Sequence, residues 1–339
     1  MTRPRLASAA LTAAFAALAP ATAPAHHGAP GYDRSQVVVV DGTVAQLDWK
    51  NPHVYFTVET RGENGQIRRA TVEGGTLSTM RAFGLTREQL AAGAHVTVRA
   101  LAKQKGLVGP MLGISVTLDD GSVFNLGPGP SVRTLRVAAA ADGLAGKWAA
   151  SSSAVDEFIR ALTTWPYADA RLRTASDPAA PPPDAGRCYT EVPVPWQYVY
   201  GGLQTIEISD STVVLRAAPY GFLNERVVHL DQTAHPEGIA RSMLGHSIGR
   251  WEGETLVVDT GALEPFPTNP PPRGPRARLG ERFTLTEDRR QIRYEITMED
   301  PDLLTAPATF ATFWDHRPDL AFEGDEGCDE DQARRFRKE

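Results

Sequence analysis

Gly245-His246-Ser247-Ile248-Gly249-Arg250-Trp251-Glu252-Gly253-Glu254-Thr255-Leu256-Val257-Val258-Asp259-Thr260 decides how this chain folds. Residues 249–251 and 255–260 read as two strands, and Glu252-Gly253-Glu254 is the short turn between them. The same signal recurs on both sides: residues 198–208, 212–217 and 225–230 before the motif, and 281–286 and 291–298 after it. Meandering strands in this number, joined by turns as short as Ser209-Asp210-Ser211, predict a large antiparallel β-barrel of lipocalin-like, up-and-down type, or a sandwich. A barrel with an interior wide enough for a ligand is the first choice. Ahead of these strands, residues 154–165 have helical spacing, and residues 177–186 form a Pro/Ala-rich loop before Cys188. A second long loop, residues 264–278, is loaded with Pro and Gly, and a loop of that length is functional or disordered.

The first half is built on the same period. Residues 37–40, 42–47, 54–58 and 65–73 read as strands, residues 77–90 turn to helical spacing, and strand signals return at 95–100 and 112–118. Thr86-Arg87-Glu88-Gln89 reads as a capping box, and Asp119-Asp120-Gly121 as a hairpin turn into 122–126. Five or six strands with one helical insertion predict a small OB-like barrel. The chain is therefore expected to be mainly β, with a signal peptide at 1–25, an OB-like domain at 26–130, a linker at 131–143 and the larger barrel at 144–339.

Arg3 and Arg5, with no acid nearby, precede an apolar run over 6–19 that is too short to cross a bilayer, which is the pattern of a secretory signal. Ala23-Pro24-Ala25 is the favoured peptidase site and leaves His26 as the new amino terminus; Ala19-Pro20-Ala21 and Ala21-Thr22-Ala23 also fit. A periplasmic or secreted protein without stable membrane insertion is expected. The net charge of −6, about −8 once Arg3 and Arg5 are removed, argues against a nucleic-acid or anionic-membrane surface. In an oxidising compartment the only two cysteines, Cys188 and Cys328, read as one disulfide.

Residues 26–126 resemble the DUF6152 family of exported proteins, which has no assigned reaction. The resemblance is carried by His26-His27, Tyr32-Asp33, Gly42-Thr43-Val44 and Trp49-Lys50-Asn51-Pro52-His53. The second half is similar to another family of uncharacterised exported proteins, through residues 245–260, Glu281-Arg282-Phe283 and Glu299-Asp300-Pro301. Pro275-Arg276-Ala277-Arg278-Leu279-Gly280 stands where that family usually has a polar, often histidine-bearing stretch, so no site is carried over from it. Both resemblances imply an envelope location and no chemistry.

An amino-terminal histidine offers its α-amine and its imidazole to one metal ion, and a further imidazole completes a three-nitrogen set suited to copper. His26 is the candidate chelate, with His27 or His53 as the third nitrogen and His95 a weaker choice. A frayed terminus and a simple turn at Asn51-Pro52 are the plain alternatives. In the second half, His246 reads as lying in a Gly-flanked loop before a strand. With His235 and a carboxylate from Glu252, Asp259, Glu281 or Asp300 it is a candidate acid–base or metal site. The competing reading makes 245–254 a structural corner, with Trp251 a core plug and Arg250 paired to Glu281 or Asp300. Trp196, Tyr198 and Tyr200, expected on one face of a strand, are candidate ligand-binding residues with Arg250 and Trp251; Tyr220, Phe222 and Trp314 extend that aromatic set. No G-x-S-x-G elbow, phosphate loop or zinc-finger spacing occurs.

Two weak catalytic constellations on β scaffolds favour a binding protein: a copper-binding small barrel fused to a barrel that holds a small molecule. The alternative is a lyase, isomerase or hydrolase working through His246 and a carboxylate, or a copper redox enzyme. A module for assembling envelope proteins, with loop 264–278 as its contact, is the third expectation. The oligomeric state is left open.

Overall fold

The computed structural model describes residues 32–62, 64–127, 139–151, 154–169, 171–172, 188, 191–199, 203–219, 221–266, 272–322 and 327–335. The expected signal peptide, His26, His27, Tyr200, Tyr220, most of the linker and the middle of loop 264–278 lie outside the described residues.

Two β-barrels follow one another. The first opens with β1 (Tyr32–Asp48), whose register shifts between Val44 and Gln46, so that one long strand bends and serves two neighbours. Its first part pairs with β4 (His95–Lys103) and its last part with β2 (Tyr55–Arg61). With β3 (Ile67–Glu73) and β5 (Met111–Leu118), the ring closes as β1-β2-β3-β5-β4-β1 through the parallel pairs Val72↔Met111 and Glu73↔Leu112. This is the OB-like arrangement, with β6 (Val123–Asn125) added beside β5. The expected helical insertion over 77–90 is shorter than its spacing suggested. It consists of α1 (Leu77–Ala82), capped by the Thr76 hydroxyl, and one tight turn at Glu88–Leu90. Gly84, in the left-handed region at φ +81°, ends the helical run between them. Half of the expected capping box forms: the Thr86 N–H donates to Gln89 Oε1 at 2.8 Å.

The second barrel runs β7 (Gly146–Ala150), β8 (Leu203–Ile208), β9 (Thr212–Ala217), β10 (Asn224–His229), β11 (His246–Glu252), β12 (Thr255–Gly261), β13 (Arg278–Leu285), β14 (Gln291–Glu299) and β15 (Ala308–His316). Each strand pairs with the next, and β15 closes on β7. Nine strands cannot alternate direction all the way round a closed ring, so one contact has to be parallel. It is β10–β11, where Val228↔Ser247 and His229↔Ile248 place the start of β11 level with the end of β10. Residues 230–245 are the crossover that this parallel contact requires.

The interior is filled with side chains. Tyr198, Phe283, Tyr294 and Trp314 form one ring cluster, with centroid separations of 4.8–6.1 Å, inside a continuous buried core that includes Trp148. Trp196 and Tyr198 belong to this core and are not on a strand. They lie in α3 (Trp196–Val199), and the strand expected from 198 begins only at Leu203. Pro193 and Pro195 explain the change: the carbonyl oxygens of both accept from the helical turn, and Pro195 sits where proline favours a helix start. α2 (Ala154–Thr164) packs Phe158 against Trp165, Trp196 and Phe310.

The carboxyl-terminal segment returns to the first barrel and ends in α4 (Glu330–Arg335). Asn51 is buried in that contact. Its Nδ2 donates to the Gly327 carbonyl at 3.1 Å, its Oδ1 accepts from Leu77 N–H, and its carbonyl accepts from Asp329 N–H. Lys50 meets Asp329 at 2.6 Å, and Arg317 donates to the Ala82 carbonyl at 2.9 Å. The expected disulfide Cys188–Cys328 is present, with Cα atoms 5.9 Å apart, and anchors this strap to the second domain.

Candidate functional site

In the first barrel, chemistry gathers where β3 ends. Glu73 is buried; its Oε1 lies 2.5 Å from His53 Nδ1, and its Oε2 accepts from the Tyr32 hydroxyl at 3.2 Å. Asn51, clamped by the strap, fixes the chain two residues before His53. An imidazole oriented through one nitrogen by a carboxylate is the usual setting of a metal-ligating histidine. His95 pairs instead with Asp119 at 2.9 Å and Asp41 at 3.4 Å. Among the described residues, no group of three or more His, Cys, Asp or Glu is disposed to hold a metal ion.

The β11–β12 hairpin carries the chemistry of the second barrel on both faces. Ser247 and Thr260 point inward and contact Arg226 of β10, at 2.8 Å from Nε and 2.5 Å from Nη2. Arg226 also forms a two-pronged ion pair with Glu281 of β13, and the Tyr294 hydroxyl donates to Glu281 at 2.7 Å. All of these groups are buried. Burial alone would push the guanidinium down, but Glu281, with the two tyrosines, reverses this and leaves Arg226 above the usual arginine range. Burial raises Tyr198 to about 12 and, together with Glu281, holds Tyr294 well above its ordinary value.

Outward from the same two strands lie His246 and Asp259. His246 is the first residue of β11, not part of the preceding loop; Gly245 ahead of it takes φ +67°, where a Cβ would stand 2.5 Å from the Gly261 carbonyl oxygen. His246 stacks on His229 with centroids 5.0 Å apart, and its Nδ1 lies 2.8 Å from Nδ1 of His235 in the crossover. His235 Nε2 faces Asp259 at 3.5 Å, and Asp259 is bound from its other side by Arg278. Burial, then the neighbouring His235 and His229, lowers the His246 pKa below the ordinary histidine value.

A groove of about 730 Å³ runs across the outer wall beside Asp259. Strand register explains it. Arg250, Val257, Arg282, Glu295 and Ala311 form one row across β11–β15, and Ile248, Asp259, Gly280, Thr297 and Thr309 form the next. Small residues at Gly280, Thr297, Thr309 and Ala311 leave a trough in a wall that longer side chains would fill. A Cβ at Gly280 would meet only Thr297, at 3.8 Å or more.

The structure brings His235 and His246 together but separates them from three of their four expected carboxylates, with Glu252 at the far end of β11 on Arg250 and Arg282. Glu281 faces the interior with Arg226, and Asp300 caps the Gly274 and Asp302 N–H groups at 2.7 and 3.1 Å. The carboxylate that joins the histidines is Asp259. Arg250 pairs with Glu252 and not with Glu281 or Asp300, and Trp251, near the hairpin tip, is 41% exposed and plugs no core. Sequence reasoning missed Arg226 and also Arg273 of the Pro-rich loop, whose buried guanidinium ties together the carbonyls of Val194, Met243 and Glu264. Burial pushes Arg273 down to about 10 against the pull of Glu264 and Asp300.

Fold and site together define a two-barrel protein: an OB-like ring strapped to a nine-stranded meander barrel. Residues 14–111 match the model of DUF6152, a family of unknown function, a stretch that takes in the first barrel up to the start of β5. No curated protein matches this chain.

Proposed function

We propose that this chain is an exported, periplasmic binding protein whose first barrel holds copper through the α-amine and imidazole of the amino-terminal His26, with His53, rather than His27, as the third nitrogen. The observation that carries the reading is the Tyr32–Glu73–His53 chain of contacts, in which a carboxylate fixes one imidazole nitrogen and the orientation of the ring, the usual setting of a metal-ligating histidine. His26 precedes Tyr32 by six residues, a span of at most about 22 Å, which is long enough for a terminal histidine to reach this end of the barrel. Three nitrogens and no thiolate favour Cu(II) over softer ions.

Protein recovered from the periplasm should have the mass of a chain beginning at His26 and should bind Cu(II) in a calorimetric titration. His53→Ala and a single added amino-terminal residue should each abolish tight binding, and Glu73→Gln should weaken it about 10- to 100-fold. Copper affinity unchanged by both the His53 substitution and the added residue would sink the reading.

A further inference from the structure

The outer wall of the second barrel carries a groove lined by β11 to β15. At about 730 Å³, it is in the size range of small-molecule sites. Its walls carry Arg250, Arg278, Arg282 and Arg293, all about half exposed. Of the carboxylates beside them, Glu252 takes both Arg250 and Arg282, Asp259 takes Arg278 and faces His235, and Glu295 takes Arg293, while Glu299, opposite Arg278 in the strand register, completes the charged lining. A guanidinium has five N–H donors, and one carboxylate does not use them all, so the four arginines keep donors for a ligand beside these acids. Its floor mixes the Val257 and Ala311 side chains with the methyl and hydroxyl groups of Thr297 and Thr309. Such a lining suits a small molecule with an apolar body and an acid group.

The histidine cluster adjoins this groove through Asp259. Arg278 and His235 compete for that one carboxylate, at 2.5 and 3.5 Å. The charged or titratable groups packed around His246 are His229 from β10, His235 from the crossover and, beyond His235, Asp259 from β12 with Arg278 from β13. We propose that the groove binds a small organic anion through Arg278 and the arginines of the opposite row, and that proton uptake by the histidine cluster strengthens this binding. A proton entering the His235–His246 pair sets a cation against Asp259. The carboxylate is then satisfied from that side, and Arg278 is released toward the ligand. Linkage makes the effect reciprocal, so a bound anion favours the protonated cluster.

The test is a fluorescence titration of the full chain with 8-anilinonaphthalene-1-sulfonate, whose sulfonate stays ionised at both pH 7.5 and pH 5.5, with benzoate as competitor. Binding should be displaced by benzoate and should tighten at least about threefold at pH 5.5. Gly280→Trp and Ala311→Trp, which fill the trough from two different strands, should abolish it while leaving the circular dichroism spectrum and the unfolding midpoint in place. Arg278→Gln should weaken binding about tenfold. His235→Gln combined with His246→Gln should keep the neutral-pH affinity and lose the gain at pH 5.5. Dye affinity unaltered by both tryptophan substitutions, or no dye binding by the native chain, overturns the site; affinity equal at the two pH values overturns the coupling. His53→Ala should bind the dye as the native chain does, so this result stands apart from that of the copper experiment.

Discussion

Arg226 and Glu281 show what a single inward position does to a barrel. A buried ion pair adds little stability over a well-packed apolar pair, but removing one partner strands the other charge without water. Arg226→Met should therefore destabilise the second barrel by about 3–5 kcal/mol in urea unfolding. Arg226→Met combined with Glu281→Leu should recover most of that loss; a double variant no more stable than the single one would contradict the account. Both tyrosines near the pair keep their protons at any working pH, so Tyr294 remains a donor to Glu281. Glu281 was visible in the sequence as a candidate acid but was placed with the wrong partners. Strand parity held the correction, because Leu279, Glu281 and Phe283 alternate with outward residues and all three are buried. Arg226 had no such signal, since an arginine in a strand as polar as Asn224–His229 reads as a solvent-facing residue.

At the scale of elements, the parallel β10–β11 contact and its crossover organise the outer site. Gly249 allows that contact, since a Cβ there would lie 2.6 Å from Val228 Cγ1. The crossover is held to the hairpin by His235 on His246, and the lowered His246 pKa fixes how this fastening depends on pH. With its folded-state pKa below the unfolded value of about 6.5, His246 takes up a proton more readily in the unfolded chain. Stability is unaffected well above pH 6.5 and falls as the pH drops through and below that value. His246→Gln should flatten this decline in a series of thermal midpoints from pH 8 to pH 5, and an identical slope in the variant would show that other groups set it. The hairpin was legible because its turn and both apolar runs are local. β7 and β15 were not: β7 is five residues ending in Ala149-Ala150, and β15 puts Ala311 and Phe313 outward opposite Phe310 and Trp314, so its alternation disappears. The helical turn at Trp196 was hidden because alternating aromatics imitate a strand, and the prolines before them outweighed the pattern.

For the whole molecule, the sequence marked out two barrels and their order but not what fastens them together. The junction joins Asn51 to Gly327 and Asp329, more than 270 residues apart, and no local pattern announces a contact of that range. Gly221 completes it: a Cβ there would stand 2.2 Å from both Asn51 Nδ2 and the Gly327 carbonyl oxygen. The disulfide holds the strap against this junction across a sequence separation of 140 residues, for which loop-closure entropy gives on the order of 5 kcal/mol. That stabilisation acts chiefly on the second barrel, because the loop closed between residues 188 and 328 contains β8 to β15; the first barrel gains from it only through the strap's hold on Asn51. Cys188→Ser combined with Cys328→Ser should therefore lower the unfolding midpoint of the second barrel and, by releasing the strap, uncouple the two barrels, so that one calorimetric transition becomes two. Loosening the strap also frees the turn that sets His53, so the same variant should lose part of its copper affinity while its dye binding on the outer wall is unchanged. A single transition at the native temperature would mean that the barrels are fastened by something other than this strap.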